Sequence, residues 1–200
     1  MTSGSRGPVY RYLNQPLSRP LAGWLARTPV TPNQVSLFSF FMALGVLGLF
    51  AGGVHIAAGV LIQATSVAGG VDGDLARLKG VATRFRATFD AVLDRYADAA
   101  IVGGMAWWAW QHEDWPRPLL LGLVTLVGFF LVSYSRARLE VMDREALLSV
   151  PSLASRDVRL LLAAIGSLAG QLYWTMAVLA GLTYLVVAWR LLYMWARQRV

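Results

Sequence analysis

Five aspartates stand out in an otherwise apolar chain: Asp72, Asp74, Asp90, Asp94 and Asp98. Asp90, Asp94 and Asp98 recur at four-residue spacing, so at about 100° per residue they project from nearly one face of a helix. Asp72 falls at the end of the preceding apolar run, and an antiparallel hairpin through Lys79 and Gly80 brings it alongside Asp90. Carboxylates clustered at an opening to water form a hard-oxygen site suited to Mg²⁺ or Mn²⁺, ions that also hold substrate phosphates. Such a site suits phosphoryl chemistry. The same residues also fit a structural charge network with Arg77, Arg84, Arg86 and Arg95, or a relay for protons or small cations. No cysteine is present, which excludes disulfides, thiolate metal ligands and a cysteine nucleophile. His55 and His112 are expected as isolated residues near the opposite, external interface.

The elements that carry these aspartates belong in a bilayer. Of the 200 residues 56% are hydrophobic and 14% charged, too apolar for an ordinary soluble domain. A membrane helix takes about 20 mainly apolar residues, and six segments fit: 33–52, 54–76, 83–111, 117–138, 157–171 and 173–195. The expectation is an all-α polytopic membrane protein with six transmembrane helices and an N-terminal interfacial amphipathic helix. Residues 1–31 form the juxtamembrane segment and 32–200 the membrane domain.

Thr31 and Pro32 read as cap and first-turn proline of the first span. Gly69, Gly70 and Gly73 read as a break where the second span leaves the hydrocarbon. Val9 to Leu25 mixes Tyr, Leu and Trp with Arg11 and Arg19, and is read as the interfacial helix, not as a cleavable signal.

A net charge of +7 comes in short basic clusters between apolar runs, so membrane lipids and phosphate-bearing substrates are expected as partners and nucleic acid is not. The arginines Arg6 to Arg27, Arg77 to Arg95, Arg136 to Arg159 and Arg190 to Arg199 all fall on one side, with Arg117 alone on the other. That places both termini and the aspartates in the cytoplasm. Trp107, Trp108, Trp110 and Trp115 are expected as an aromatic belt on the external side.

The stretch GGVDGDLARLKGVATRFRATFDAVLD, Gly69 to Asp94, resembles the signature of the CDP-alcohol phosphotransferases: DxxDGxxAR, eight residues, then GxxxDxxxD. Asp72, Gly73, Ala76, Arg77, Asp90 and Asp94 match it in identity and spacing. The continuation DRYADAAI is similar to the branch that makes inositol-phosphate-type lipids or phosphodiesters, and TPNQVS at Thr31 to Ser36 to the family's segment before its first membrane helix.

The resemblance implies a six-helix enzyme, commonly a homodimer, in a prokaryotic cell membrane. It would join a CDP-linked donor to an acceptor alcohol and release CMP. It implies that the first three aspartates of the signature hold divalent ions, Mg²⁺ or Mn²⁺, and that the fourth, Asp94, is the general base. Asp72, Asp90 and Asp94 would then form the metal site, and Asp72, Gly73, Ala76, Arg77 and Arg86 would line the nucleotide site. A second basic cluster, Arg136, Arg138, Arg156 and Arg159, suggests an acceptor that already carries phosphate, such as an inositol phosphate.

Two positions depart from the signature: Gly69 replaces its first aspartate, and Arg86 replaces its second-block glycine. The first removes a metal ligand. Asp74 does not replace it, because five residues along a helix put it roughly 140° away around the axis, and it is expected to face solvent or Arg77. Arg86 either supplies fixed positive charge near a diphosphate or fills the groove that glycine leaves open. The alternatives to an active transferase are an impaired relative that still binds CDP-lipid and a small cation transporter that uses the aspartates as a relay.

Overall fold

The computed structural model describes residues 7, 9–142 and 153–197, and the described residues are helical apart from short connections. Arg6, Arg144 and Arg199 lie outside them. One π-helical turn, Tyr10–Asn14, leads into α1 (Gln15–Leu25). Then follow α2 (Pro32–Ala51), α3 (His55–Leu78), α4 (Arg84–His112), α5 (Pro118–Met142), α6 (Arg156–Leu168) and α7 (Leu172–Arg197). Four of these, α2, α3, α5 and α7, are long and apolar enough to cross a membrane. The charged first half of α4 sets it apart from them. The 13 residues of α6 measure about 20 Å at 1.5 Å per residue, less than the roughly 30 Å of hydrocarbon in a bilayer.

Local chemistry fixes the helix starts. Thr31 and Gln34 form a capping box, with Thr31 N donating to Gln34 Oε1 at 2.8 Å and Pro32 in the first turn. Thr83 caps α4 by accepting from Arg86 N. The α3–α4 hairpin turns through Lys79 and Gly80, where a φ of +65° favours glycine, and Lys79 Nζ ties the turn to the carbonyls of Thr28 and Val30.

Helix α3 packs on α1, α2 and α6, α4 on α2, α5 and α7, and α5 on α7. The main core is built from Val46, Phe50, Ile62, Ile101, Met105, Leu160, Met176 and Leu179. It occupies the half of the bundle away from Asp72 and Asp90. At that far end the connections interlock: Glu113 accepts from the backbone N–H groups of Leu172 and Tyr173, and His55 Nδ1 lies 2.7 Å from Ser167 O.

Three expectations are corrected. Helix α3 runs unbroken through Gly69, Gly70 and Gly73, and at Gly70 the glycine serves close packing, because a Cβ there would sit 2.8 Å from the Tyr10 ring. Trp108 is buried and does not belong to a surface belt, whereas Trp107, Trp110 and Trp115 are exposed. His55 and His112 are not isolated: their rings flank Trp108 at centroid distances of 5.0 and 4.6 Å.

Candidate active site

Helices α2, α3, α4 and α6 meet around the aspartates. Ser36, one turn into α2, donates to Asp72 Oδ2 at 2.8 Å and lies 3.0 Å from Asp90 Oδ1, so a single hydroxyl joins α3 to α4. Asp72 is buried and faces Arg86 Nη2 at 3.6 Å. Asp94 pairs with Arg156 Nη1 at 2.9 Å. Asp98 is fully buried with Arg95, Arg156 and Arg159 around it, each at 3.5 Å. Such a buried group is tolerable only with charges of opposite sign beside it.

Asp74 plays another part. It is buried, not solvent-facing, and accepts from Tyr10 Oη at 2.8 Å and Ser18 Oγ at 2.9 Å while pairing with Arg77. These bonds fasten the N-terminal helices to α3. The expectation of Arg77 as a neighbour holds; the expectation of solvent does not, because α1 covers that face.

Two cavities adjoin the cluster. The first, about 360 Å³, is lined by Tyr10, Asn14, Ser66, Gly69, Asp72, Gly73, Asp90, Asp94, Arg136 and Arg156 among others. The second, about 300 Å³, is lined by Asp94, Arg95, Ser133, Arg136, Arg156, Arg159 and Arg190 among others. Asp94, Arg136, Ser155 and Arg156 line both. A third, apolar groove of about 600 Å³ runs between α1, α2 and α3 and ends at Val71, next to Asp72.

The residues expected at the site are thus distributed unevenly. Asp72, Gly73, Asp90 and Asp94 line the first cavity, with Gly73 facing open space. Arg86 stands behind Asp72 and lines neither cavity, as do Ala76, which is buried, and Arg77, which is half exposed. Arg136, Arg156 and Arg159 converge on the second cavity, but Arg138 is exposed and outside it. Arg159 is anchored: it is 1% exposed, donates to Phe129 O at 3.1 Å and lies 4.1 Å over the Phe129 ring. Sequence reasoning missed Ser36, Ser155 and Arg190 as contributors. Arg190 had a legible signal, a lone charge within the apolar α7; it donates to Val132 O at 2.7 Å and Ser135 Oγ at 2.8 Å.

A two-ion site does not fit these residues. Among the described residues no three His, Cys, Asp or Glu side chains are grouped to hold a metal. The position that the signature gives to its first aspartate is Gly69, and a Cβ there would lie 2.9 Å from Arg156 Nη1. Guanidinium, not carboxylate, fills that space.

Residues 29–196 match the CDP-alcohol phosphatidyltransferase family. The chain belongs to this family. Among its members, the bifunctional IPC transferase and DIPP synthase of Rubrobacter xylanophilus is 42% identical over 173 residues, 84% of this chain and 38% of that protein. The phosphatidylinositol phosphate synthase of Corynebacterium glutamicum is 38% identical over 126 residues, 62% of this chain and 58% of that one. The chain therefore spans well under two thirds of either relative.

A crystal structure of Mycobacterium tuberculosis phosphatidylinositol phosphate synthase with CDP-DAG bound superposes with a TM-score of 0.74 at 28% identity, covering 90% of this chain and 94% of that one. The same enzyme in complex with manganese and citrate gives a TM-score of 0.68. Family, fold and the inositol-phosphate branch agree with the sequence signature.

Proposed function

We propose that the chain transfers a substituted phosphoryl group from a CDP-linked lipid donor to a hydroxyl of a phosphorylated alcohol, releasing CMP. The observation that carries the reading is Asp94, which stands on the wall common to the two polar cavities. One cavity has Asp72, Gly73 and Asp90, the matched signature residues, and suits the donor's nucleotide end. The other gathers Arg95, Arg136, Arg156, Arg159 and Arg190, a concentration of guanidinium that suits an acceptor phosphate. The apolar groove ending at Val71 suits the donor's tails. The acceptor oxygen attacks the donor phosphorus, the bond from phosphorus to the CMP oxygen breaks, CMP leaves with the electron pair, and the hydroxyl proton passes to Asp94. A carboxylate is a weak base for an alcohol, so proton transfer accompanies attack instead of preceding it.

Mg²⁺ or Mn²⁺, implied by the signature and consistent with the manganese-bound relative, would meet Asp72, Asp90 and Asp94 on one cavity wall. Ser36 already donates to Asp72 and lies 3.0 Å from Asp90, and Asp72 faces Arg86.

Six membrane crossings would add α4 and the shorter α6 to the four long apolar helices. Helix α6 starts at the site and ends beside His55, the first residue of α3, so it covers the same depth as the far half of α3. The exposed Leu17, Leu21 and Trp24 of α1 suit an interfacial position. The site then faces the cytoplasm of a prokaryotic cell, with the chain working as a homodimer.

The test is CMP release by purified protein in nanodiscs from CDP-diacylglycerol plus inositol phosphate. Turnover that falls about 10²- to 10⁴-fold in Asp94→Asn supports the assignment of the base; an unchanged rate in that variant removes Asp94 from the chemistry. The Gly69 departure favours one second reading, an impaired member that binds donor without turning it over. A silent parent revived by Gly69→Asp would select it.

A further inference from the structure

The two departures from the family signature have one consequence in space. Arg86 stands where the signature has glycine, and its Nη2 lies 3.6 Å from Asp72. Gly69 stands where the signature has aspartate, and the room it leaves is taken by Arg156, whose Nη1 would be 2.9 Å from any Cβ at that position. The same guanidinium reaches Asp94 at 2.9 Å. One substitution brings a cation to the carboxylates, and the other removes the side chain that would keep a second cation away.

Charge balance points the same way. Counted formally, Asp72, Asp90, Asp94 and Asp98 bring four carboxylates, and Arg86, Arg95, Arg156 and Arg159 four guanidiniums, to the same cluster. Two divalent ions would carry that same positive charge, so the arginines leave the cluster as neutral as two ions would have left it. Adding ions to a cluster already neutralised by fixed cations gains little Coulomb energy and loses the ion's hydration.

The guanidiniums also have unused capacity. Nε and Nη2 of Arg86 and Nε and Nη2 of Arg156 are buried and make no hydrogen bond; Arg86 Nη2 and Arg156 Nε meet Asp72 and Asp98 only as long ion pairs, at 3.6 and 3.5 Å. Buried N–H donors are rarely left without an acceptor. A diphosphate presents only acceptors, and a guanidinium is the side chain best shaped to meet them.

We propose that Arg156 is the resident cation of the donor site and holds the donor's diphosphate without a metal ion, while Arg86 balances the charge of Asp72 from behind the cavity wall. The proposal rests on the reading of the first cavity as the donor site, and it assigns Arg156 to both substrates, since its side chain lines both cavities. It also gives Gly69 a purpose, which is to let Arg156 reach across from α6.

The experiment measures two things on the full chain in nanodiscs: binding of CDP-diacylglycerol by competition with a fluorescent CDP-lipid, and binding of Mn²⁺ by electron paramagnetic resonance. The expected result is donor binding that is the same within about twofold in EDTA and in Mn²⁺, with no tightly held Mn²⁺. Arg156→Ala should weaken the donor about ten- to a hundredfold in EDTA, and Arg86→Ala, which removes a charge behind the cavity wall, should weaken it less.

Arg156→Lys, which keeps the charge and loses the planar fork, should fall between the parent and Arg156→Ala. The double variant Gly69→Asp, Arg86→Gly should gain Mn²⁺ binding and make donor binding EDTA-sensitive, a gain that a misfolded protein cannot give. Tight Mn²⁺ binding by the parent, with donor binding lost in EDTA, overturns the proposal and leaves the transferase reading intact. Absence of donor binding under every condition overturns both.

Discussion

Along α4 the stretch from Arg84 to Asp98 is written in charge, whereas the stretch from Ala100 to His112 is written in small and apolar residues. The first borders two cavities, and its partners Arg86, Arg156 and Arg159 retain buried donors without hydrogen bonds. The second is held by close contacts: Gly104 is pressed against Phe50, and Gly122 of α5 against Ala106, with a Cβ at either glycine falling under 3.0 Å from its neighbour. The contrast separates two tasks. Close packing of one half holds the bundle in register, which lets the other half keep space and unspent polar groups where substrates must enter. A stable protein with a weak site and a strained protein with a good site should therefore be obtainable separately, by substitutions at opposite ends of one helix.

The largest effect expected at the charged end is that of Arg159→Ala. It leaves the fully buried Asp98 with only Arg95 and Arg156 at 3.5 Å, and loss of one partner from such a cluster costs about 3 kcal/mol. Thermal unfolding in detergent should show it as a large fall in Tm. At the packed end Gly122→Val forces a side chain into Ala106 and should cost about 1–3 kcal/mol, with the KM values of surviving enzyme unchanged. A KM shift there would mean that the two halves are not independent.

Arg136→Ala should raise the KM for a phosphorylated acceptor about tenfold, the value of one charge-assisted hydrogen bond, with little change in unfolding temperature. The smallest effect is expected for Arg138→Ala, under about twofold on either substrate, since its side chain lies outside both cavities. Steady-state kinetics on the pair Arg136 and Arg138 sharpen the comparison, because the two share a helix end and differ only in which way they face.

Much of this was readable before any coordinates. The helix positions follow apolar runs, and the ends of α2 and α4 lie within a residue of expectation, the start of α2 because Thr31 and Pro32 are local signals. The aspartate face of α4 followed from four-residue spacing. Less legible was whatever depends on a partner distant in sequence. Nothing around Asp74 says that Tyr10 and Ser18, 64 and 56 residues earlier, will cover it, so spacing alone offers solvent or Arg77 as its neighbour. Trp108 looked like its neighbours Trp107 and Trp110 until His55 and His112 were found on either side of it. Gly69 was visible as the loss of a ligand, but the guanidinium that takes the space comes from Arg156, 87 positions further along the chain.

The wall that Asp94, Arg136, Ser155 and Arg156 share between two cavities bears on the rate law. Two pockets separated by one layer of side chains place both substrates on the protein together, with no need to park the transferred group on a side chain in between. Under the proposed reaction the double-reciprocal plots for donor and acceptor should intersect instead of running parallel. CMP, sitting in the donor's place, should compete with the donor alone.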